Sequence, residues 1–135
     1  MTLFSVDDFK ECLVIFDDLE MIRNELLLNK IMKIQDDLLC GGRHSKTSVC
    51  ICNHSAANGK STKLILNEAS SIVLYPNGLG KRVLNYILQE YLGLDKHQTN
   101  KIKKLRSRWL ITIIKKTYPM ILLYDKEAYI LNDYI

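Results

Sequence analysis

The chain has 135 residues, of which 47% are apolar, 25% charged and 8% aromatic, with six Gly and two Pro. This length fits one domain with a helical appendage, and the apolar fraction excludes a disordered tail. No apolar run reaches the roughly 18–20 residues of a membrane span. Residues 1–8 lack the cationic and apolar parts of a secretory signal. We therefore expect an intracellular protein, in the nucleus or the cytoplasm, with no membrane contact.

The net charge of +4 is unevenly distributed along the chain. Residues 1–40 carry a net charge of −5, whereas residues 81–116 carry +8. Because proteins that need only solubility tend to mix charges of both signs, a basic block of this size indicates an acidic partner, either nucleic acid or an acidic protein face. A solvated basic face is the alternative explanation.

Residues 5–39 are predicted to be helical. Ser5 with Asp8 three residues later has the form of a capped helix start. Two series at helical spacing follow, namely Phe9, Leu13 and Phe16, and then Asn24, Leu27, Ile31, Ile34 and Leu38. The second series has the spacing of a heptad seam, and further apolar residues lie on its other sides. We therefore expect residues 1–40 to form a helical packing or oligomerisation region.

The middle of the chain is predicted to form a small antiparallel sheet. Thr47–Cys52, Thr62–Leu66 and Ser71–Tyr75 are short runs rich in residues that favour strands, and turn-prone residues separate them. Pro76-Asn77-Gly78 is a strong turn signal that ends this sheet.

Two helices and a hairpin are predicted to follow. The first helix ends at Gly93. It is marked by an apolar stripe that consists of Leu84, Ile87, Leu88 and Leu92. Asp95 begins a second, basic helix, and the β-branched run 111–114 either extends that helix or forms a strand. Beyond Pro119, the runs 120–124 and 128–131 are predicted to form a terminal β-hairpin.

The order of elements over residues 82–131 matches the second half of a winged helix. In that fold the second helix of a helix-turn-helix enters the major groove and the hairpin contacts the DNA backbone. We therefore predict an α+β protein whose residues 41–135 form a winged-helix-like domain after the helical region of residues 1–40. Gln89 is large where a helix-turn-helix usually has a small residue, and the hairpin tip, residues 125–127, is net acidic.

The basic helix carries the candidate binding residues. At about 100° per residue, Lys101, Lys104 and Arg108, with Lys115 if the helix reaches that far, form a stripe beside the apolar face. That apolar face is predicted to consist of Ile102, Leu105, Trp109 and Ile113. The candidate phosphate contacts are Lys101, Lys103, Lys104, Arg106, Arg108 and Lys115. The candidate base contacts are Gln98 and Asn100, because amides pair with adenine.

A zinc site is a weaker alternative. Its potential ligands are Cys40, His44, Cys50, Cys52 and His54. Structural zinc sites usually have two cysteine pairs, and the second pair is missing here. Cysteines on the inward face of a strand are more often small apolar core residues. We therefore predict no metal site and no cofactor.

The sequence contains no recognisable catalytic motif. Residues 59–62, Gly-Lys-Ser-Thr, end like a phosphate-binding loop, but His54 stands where that motif requires its first glycine. The run 64–66 is predicted to be a strand, which would leave no helix N-terminus to hold phosphate. The acidic pairs at 17–18 and 36–37 are interpreted as solvated helix faces.

These observations favour a binding protein that is not an enzyme. The leading hypothesis is a DNA-binding transcriptional or chromatin regulator, with duplex DNA as the expected partner. The alternatives are a protein–protein adaptor, which would form homodimers or bind a protein partner through residues 5–39, and a small zinc-stabilised module.

Overall fold

The computed structural model describes residues 4–55, 60–105, 111–115 and 119–131. It is a mixed α+β structure with four α-helices and two sheets in these ranges. The chain divides into two compact units between Glu68 and Ala69, and each unit contains one of the sheets. None of the helices in the described ranges is long and apolar enough to cross a membrane. The oligomerisation role of residues 1–40 stays a prediction.

The first unit has a parallel β-α-β arrangement. Its elements are β1 (Leu13–Asp17), α1 (Glu25–Gly41), β2 (Ser48–Cys52) and α2 (Lys60–Glu68), with 3₁₀ turns at Val6–Phe9 and Leu19–Met21. β1 and β2 pair in parallel, with Leu13 opposite Ser48 and Asp17 opposite Cys52. Parallel strands need a long connection, and α1 lies within it.

The second unit is built on a four-stranded antiparallel sheet of order β3-β4-β5-β6. Its strands are β3 (Ser71–Leu74), β4 (Ile111–Ile114), β5 (Ile121–Tyr124) and β6 (Glu127–Ile130). Its helices are α3 (Lys81–Asn85), continued by a π-helical segment (Tyr86–Tyr91), and α4 (Lys96–Lys104). The antiparallel sheet and the C-terminal strands therefore agree with the expected fold class.

One row of side chains across this sheet forms the centre of the second unit's core. Ile72 of β3 lies opposite Ile113 of β4, which lies opposite Leu122 of β5. All three are buried, with 8%, 0% and 1% of their surfaces exposed. The helices contribute the buried residues Leu84, Ile87, Leu88 and Ile102, and Leu92, which directly follows the π-helical segment, is also buried. Because strand side chains alternate between faces, Val73 between two buried neighbours is 49% exposed.

The helical prediction for residues 5–39 is wrong at its start. Asn24 does begin a helix, since its side chain accepts a hydrogen bond from the Leu27 N–H at 3.1 Å. Residues 13–17, however, form β1, where exposed Leu13 and Ile15 alternate with half-buried or buried neighbours. The β-branched pair Val14 and Ile15 favours a strand, and pairing with β2 supplies the backbone hydrogen bonds.

The expected sheet in the middle of the chain is also wrong. Residues 62–66 lie in α2, where Thr62 and Leu66, four residues apart, are both buried as on one face of a helix. β2 and β3 belong to different sheets. β3 pairs with β4, which lies about 40 residues further along the chain. The sequence close to β3 therefore does not indicate its partner strand.

The remaining local signals are confirmed. The Gly78 N–H donates to the Tyr75 carbonyl at 2.9 Å, which closes the predicted turn. Gly93 ends the π-helical segment with a φ of +65°, a conformation that glycine adopts without strain. β5 and β6 form the predicted hairpin. Residues 111–114 form β4, so the ambiguous run is a strand.

The buried row predicts a difference between two truncations in the same sheet. Ile113→Ala should lower the free energy of unfolding by about 2–5 kcal/mol, because it leaves a cavity in the core. Val73→Ala, on the exposed face, should change it by less than about 0.5 kcal/mol. Urea unfolding followed by circular dichroism measures both values, and equal losses would contradict this assignment of the core.

Candidate nucleic-acid interface

A capping box fixes the start of α4. The Gln98 N–H donates to Asp95 Oδ1 at 2.7 Å, and the Asp95 N–H donates to Gln98 Oε1 at 2.9 Å. The Gln98 amide nitrogen also donates to the Leu131 carbonyl. These bonds stabilise the helix N-terminus and attach it to the end of the hairpin. Much of the hydrogen-bonding capacity of Gln98 is therefore used within the protein.

One side of α4 is anchored in the core, and the other carries cations. Thr99 and Ile102 are buried, with 0% and 2% of their surfaces exposed. Lys101 and Lys104 are exposed and Lys103 is half-buried; together these three are called the α4 lysines below. No acid within the described ranges forms an ion pair with any of them. Because residues three apart on a helix are neighbours, Lys101 and Lys104 present adjacent charges to solvent.

The other predicted binding residues are distributed differently from the expected stripe. Asn100 is exposed on α4. Lys115 follows β4, where its backbone N–H donates to the Ser70 carbonyl at 2.9 Å, so it is not on α4 as the longer helix would have required. Arg106 and Arg108, like Trp109 of the expected apolar face, lie outside the described residues.

A cavity of about 330 Å³ lies between α4 and the β5–β6 hairpin. Its apolar lining consists of Ile102, Leu105, Leu122, Ile130 and Leu131, and its other lining residues are Gln98, Lys101, Lys104 and Tyr129. The Tyr129 ring stacks on Tyr124 at 5.8 Å between centroids. The Tyr129 hydroxyl donates to Glu127 Oε2 at 2.6 Å, and this hydrogen bond raises the pKa of Tyr129 to about 12.

The first unit contains a second polar cluster that the sequence analysis missed. Asp17 and Asp18, called the acidic edge below, lie at the carboxyl end of β1, beside residues 53–54 at the carboxyl end of β2. The Asp18 Oδ1 and His54 Nε2 atoms are 2.6 Å apart. The hydrogen bond with Asp18 and the charge of that carboxylate raise the pKa of His54.

A signal for the acidic edge was present in the sequence. An apolar run followed directly by two acids is typical of a parallel strand whose polar carboxyl end lies at the rim of a sheet. The helical interpretation of residues 13–18 concealed it. The acids at 17–18 therefore lie at a strand end, and the interpretation as a helix face is wrong.

The cysteines of β2 do not lie on an inward face. Cys50 and Cys52 are both exposed, on the same side of the strand. His54 is bonded to Asp18 and does not join them. Within the described ranges, no group of three or more His, Cys, Asp or Glu side chains is arranged to hold a metal ion.

Comparison with known proteins yields one informative similarity. No family model and no solved structure matches the chain. The chain is similar to the uncharacterized protein V3 of Sputnik virophage, with 33% identity over 126 residues. The match covers 92% of this chain and 50% of the virophage protein, so the chain spans about half the length of that relative.

The contact between Asp18 and His54 predicts a pH-dependent link between the ends of β1 and β2. The His54 pKa in the folded protein should exceed its ordinary value of about 6.5. The stabilisation from this contact is therefore fully present below about pH 6.5, and it is lost as the pH rises through the raised pKa of His54. NMR titration of the imidazole measures this pKa.

Asp18→Asn should lower the measured pKa of His54. The control is Glu20→Gln, because Glu20 contributes a smaller charge effect to the same imidazole. An equal or larger decrease in Glu20→Gln would contradict the assigned contact.

Proposed function

We propose that this protein binds nucleic acid through α4, as a non-catalytic DNA-binding protein of the transcriptional or chromatin regulator type. The observation that carries the proposal is the pair of adjacent, exposed ammonium groups of Lys101 and Lys104, which no acid in the described chain neutralises. On the side of α4 opposite these two lysines, Ile102 is buried in the core and fixes the helix in place. A rigid element that displays unpaired cations is suited to hold phosphates.

The roles of the individual residues follow from their positions. In this proposal the α4 lysines contact phosphates, and Arg106, Arg108 and Lys115 stay candidates for phosphate contact from their charge alone. Exposed Asn100 is the better placed of the two base-reading amides, because Gln98 is already bonded to Asp95 and Leu131. Gln98 acts chiefly by holding the helix start in position, with base contact as its secondary role.

The order of elements supports a winged-helix-like binding mode. α3 with its π-helical continuation, the turn at Gly93 and α4 come in the order of that class, and β4 stands between α4 and the β5–β6 hairpin. The acids Asp125 and Glu127 near the hairpin tip are unsuited to phosphate contact. In this proposal α4 therefore carries most of the binding, and duplex DNA is the preferred ligand.

A charge-reversal pair tests the proposal. Lys101→Glu with Lys104→Glu should weaken DNA binding by about tenfold or more, and should reduce the slope of log affinity against log salt by about two. Lys30→Glu with Lys33→Glu is a matched control, because these exposed lysines of α1 have the same spacing and undergo the same change of charge. Fluorescence anisotropy across a salt series, with duplex and single-stranded probes, measures both pairs.

Equal effects of the two charge-reversal pairs would contradict specific binding by α4. Absence of binding by the parent chain at low salt would overturn the proposed function altogether. Circular dichroism of each variant separates loss of binding from loss of fold.

A second candidate function comes from the acidic edge. Open α/β sheets bind ligands at the carboxyl ends of their parallel strands, and Asp17, Asp18, Asn53 and His54 lie at such ends. We infer that this edge binds a nucleotide together with Mg²⁺, because Mg²⁺ in nucleotide sites is held by one or two carboxylates and the substrate phosphates.

Thermal denaturation tests this second candidate. Mg²⁺ with ATP at a hundred times its dissociation constant should stabilise the parent chain by about 2.7 kcal/mol and raise its Tm. Asp17→Asn with Asp18→Asn should abolish the increase in Tm. Asp36→Asn with Asp37→Asn, a second acidic pair on α1, is the control and should retain it. No increase in the Tm of the parent chain would contradict this candidate.

A further inference from the structure

The central row of side chains in the second unit continues to the edge of its sheet. Tyr129 of β6 lies opposite Leu122 of β5, so the row runs from Ile72 through Ile113 and Leu122 to Tyr129. The first three side chains are at most 8% exposed, whereas Tyr129 is 44% exposed. The inner face of the sheet is therefore covered as far as Leu122 and partly open at β6. The cavity of about 330 Å³ between α4 and the β5–β6 hairpin lies at this opening.

The wall of this cavity, which we call the α4 cavity, is chiefly aliphatic. Its lining residues are Gln98, Lys101, Ile102, Lys104, Leu105, Leu122, Tyr129, Ile130 and Leu131. Apart from the lysines, the polar side chains of the wall are already bonded, since Gln98 is held by Asp95 and Leu131 and the Tyr129 hydroxyl donates to Glu127. Such a wall suits an aliphatic group, which loses no hydrogen bonds on entry, better than a nucleobase with a polar edge.

Two cations lie beside the aliphatic wall. Lys101 and Lys104 are exposed, and no acid within the described ranges forms an ion pair with either. Asp95 and Glu127 each accept a hydrogen bond from a lining residue and leave both lysines without an acidic partner. Lysine side chains lay their aliphatic stems along apolar surfaces and keep the ammonium group in water. We therefore place the two charges at the mouth of the α4 cavity.

This combination of wall and charge selects an amphipathic anion. Ligand cavities in proteins usually measure about 300–1,000 Å³ and combine an apolar lining with a few polar groups that fix the orientation of the ligand. The α4 cavity, at about 330 Å³, is at the small end of this range and suits a short chain. Ammonium groups form strong, charge-assisted hydrogen bonds with carboxylates.

We propose that the α4 cavity binds a medium-chain aliphatic carboxylate. The chain lies against the aliphatic wall, where it displaces water from apolar surface, and the carboxylate lies between the ammonium groups of Lys101 and Lys104. The site is contained in the second unit and does not depend on DNA binding by α4. It goes beyond the proposed function because it gives α4 a small-molecule ligand.

A series of carboxylates measures the contribution of the chain. Hexanoate, octanoate, decanoate and dodecanoate are titrated into the full chain, without DNA, by isothermal titration calorimetry. One ligand should bind per chain, and the affinity should rise about three- to fourfold for each added methylene group until the cavity is full. Beyond that length the affinity should level off.

A pair of substitutions tests recognition of the charged head. Lys101→Gln with Lys104→Gln should weaken octanoate binding by about three- to tenfold, because two surface ion pairs are lost. The affinity for octanol, which has a chain of the same length and no charge, should stay unchanged. Lys30→Gln with Lys33→Gln is the control, since these exposed lysines of α1 have the same spacing, and it should leave both affinities unchanged.

Two tyrosines of equal exposure test the position of the chain. Tyr129→Ala removes part of the cavity wall and should weaken octanoate binding by about threefold or more. Tyr86→Ala is the control, because Tyr86 is also 44% exposed and packs on Tyr91 with 5.4 Å between ring centroids, away from the cavity. Circular dichroism of each variant shows whether its fold is kept, and Tyr129→Thr replaces Tyr129→Ala if the fold is lost.

Three results would overturn the proposal. The first is the absence of binding of any carboxylate by the parent chain, and the second is an equal loss of affinity in either variant and its control. The third is loss of octanoate binding in Ile15→Ser, which would place the ligand on the exposed apolar residues of β1. DNA binding measured separately on the same variants reports on the proposed function.

Discussion

The second unit depends on the antiparallel pairing of β4 between β3 and β5. This pairing brings Ile72, Ile113 and Leu122 into one buried row, although residue 72 precedes the other two by about 40 residues or more. Ile102 and Thr99 of α4 are buried in the same unit, and the Gln98 side chain donates to the carboxyl end of the hairpin. The orientation of the α4 lysines is consequently set by the core behind them, because a helix of nine residues gains little stability on its own.

The uneven charge along the chain corresponds to two kinds of surface. In the first unit, Asp17 and Asp18 lie at the carboxyl end of β1, where α/β sheets bind their ligands. In the second unit, exposed Lys101 and Lys104 lie on the side of α4 opposite its buried residues. The two surfaces differ in their internal partners, since Asp18 is bonded to His54 whereas Lys101 and Lys104 form no ion pair within the described residues.

The candidate interface was only partly predictable. The capping pair Asp95 and Gln98 marks the start of α4, so Lys101 and Lys104 could be placed on a helix from the sequence alone. The length of that helix could not be predicted, because β-branched residues 111–114 tolerate a helix but gain more from β3 and β5 as strand partners. Helix α4 ends at Lys104, and Lys115 follows a strand. The acidic edge escaped detection because residues 13–18 were interpreted as a helix, although an apolar run followed by two acids also indicates the end of a strand.

The sequence by itself determined the features that short-range interactions control. These are the cap at Asp95, the termination at Gly93, and the hairpin across residues 121–130. In each case the groups that bond lie a few residues apart, so no distant partner has to be known. Only the tertiary structure decided that residues 13–17 form a strand and that β3 pairs with β4. In those segments the local propensities are nearly balanced, and hydrogen bonds and burial against residues far along the chain select the conformation.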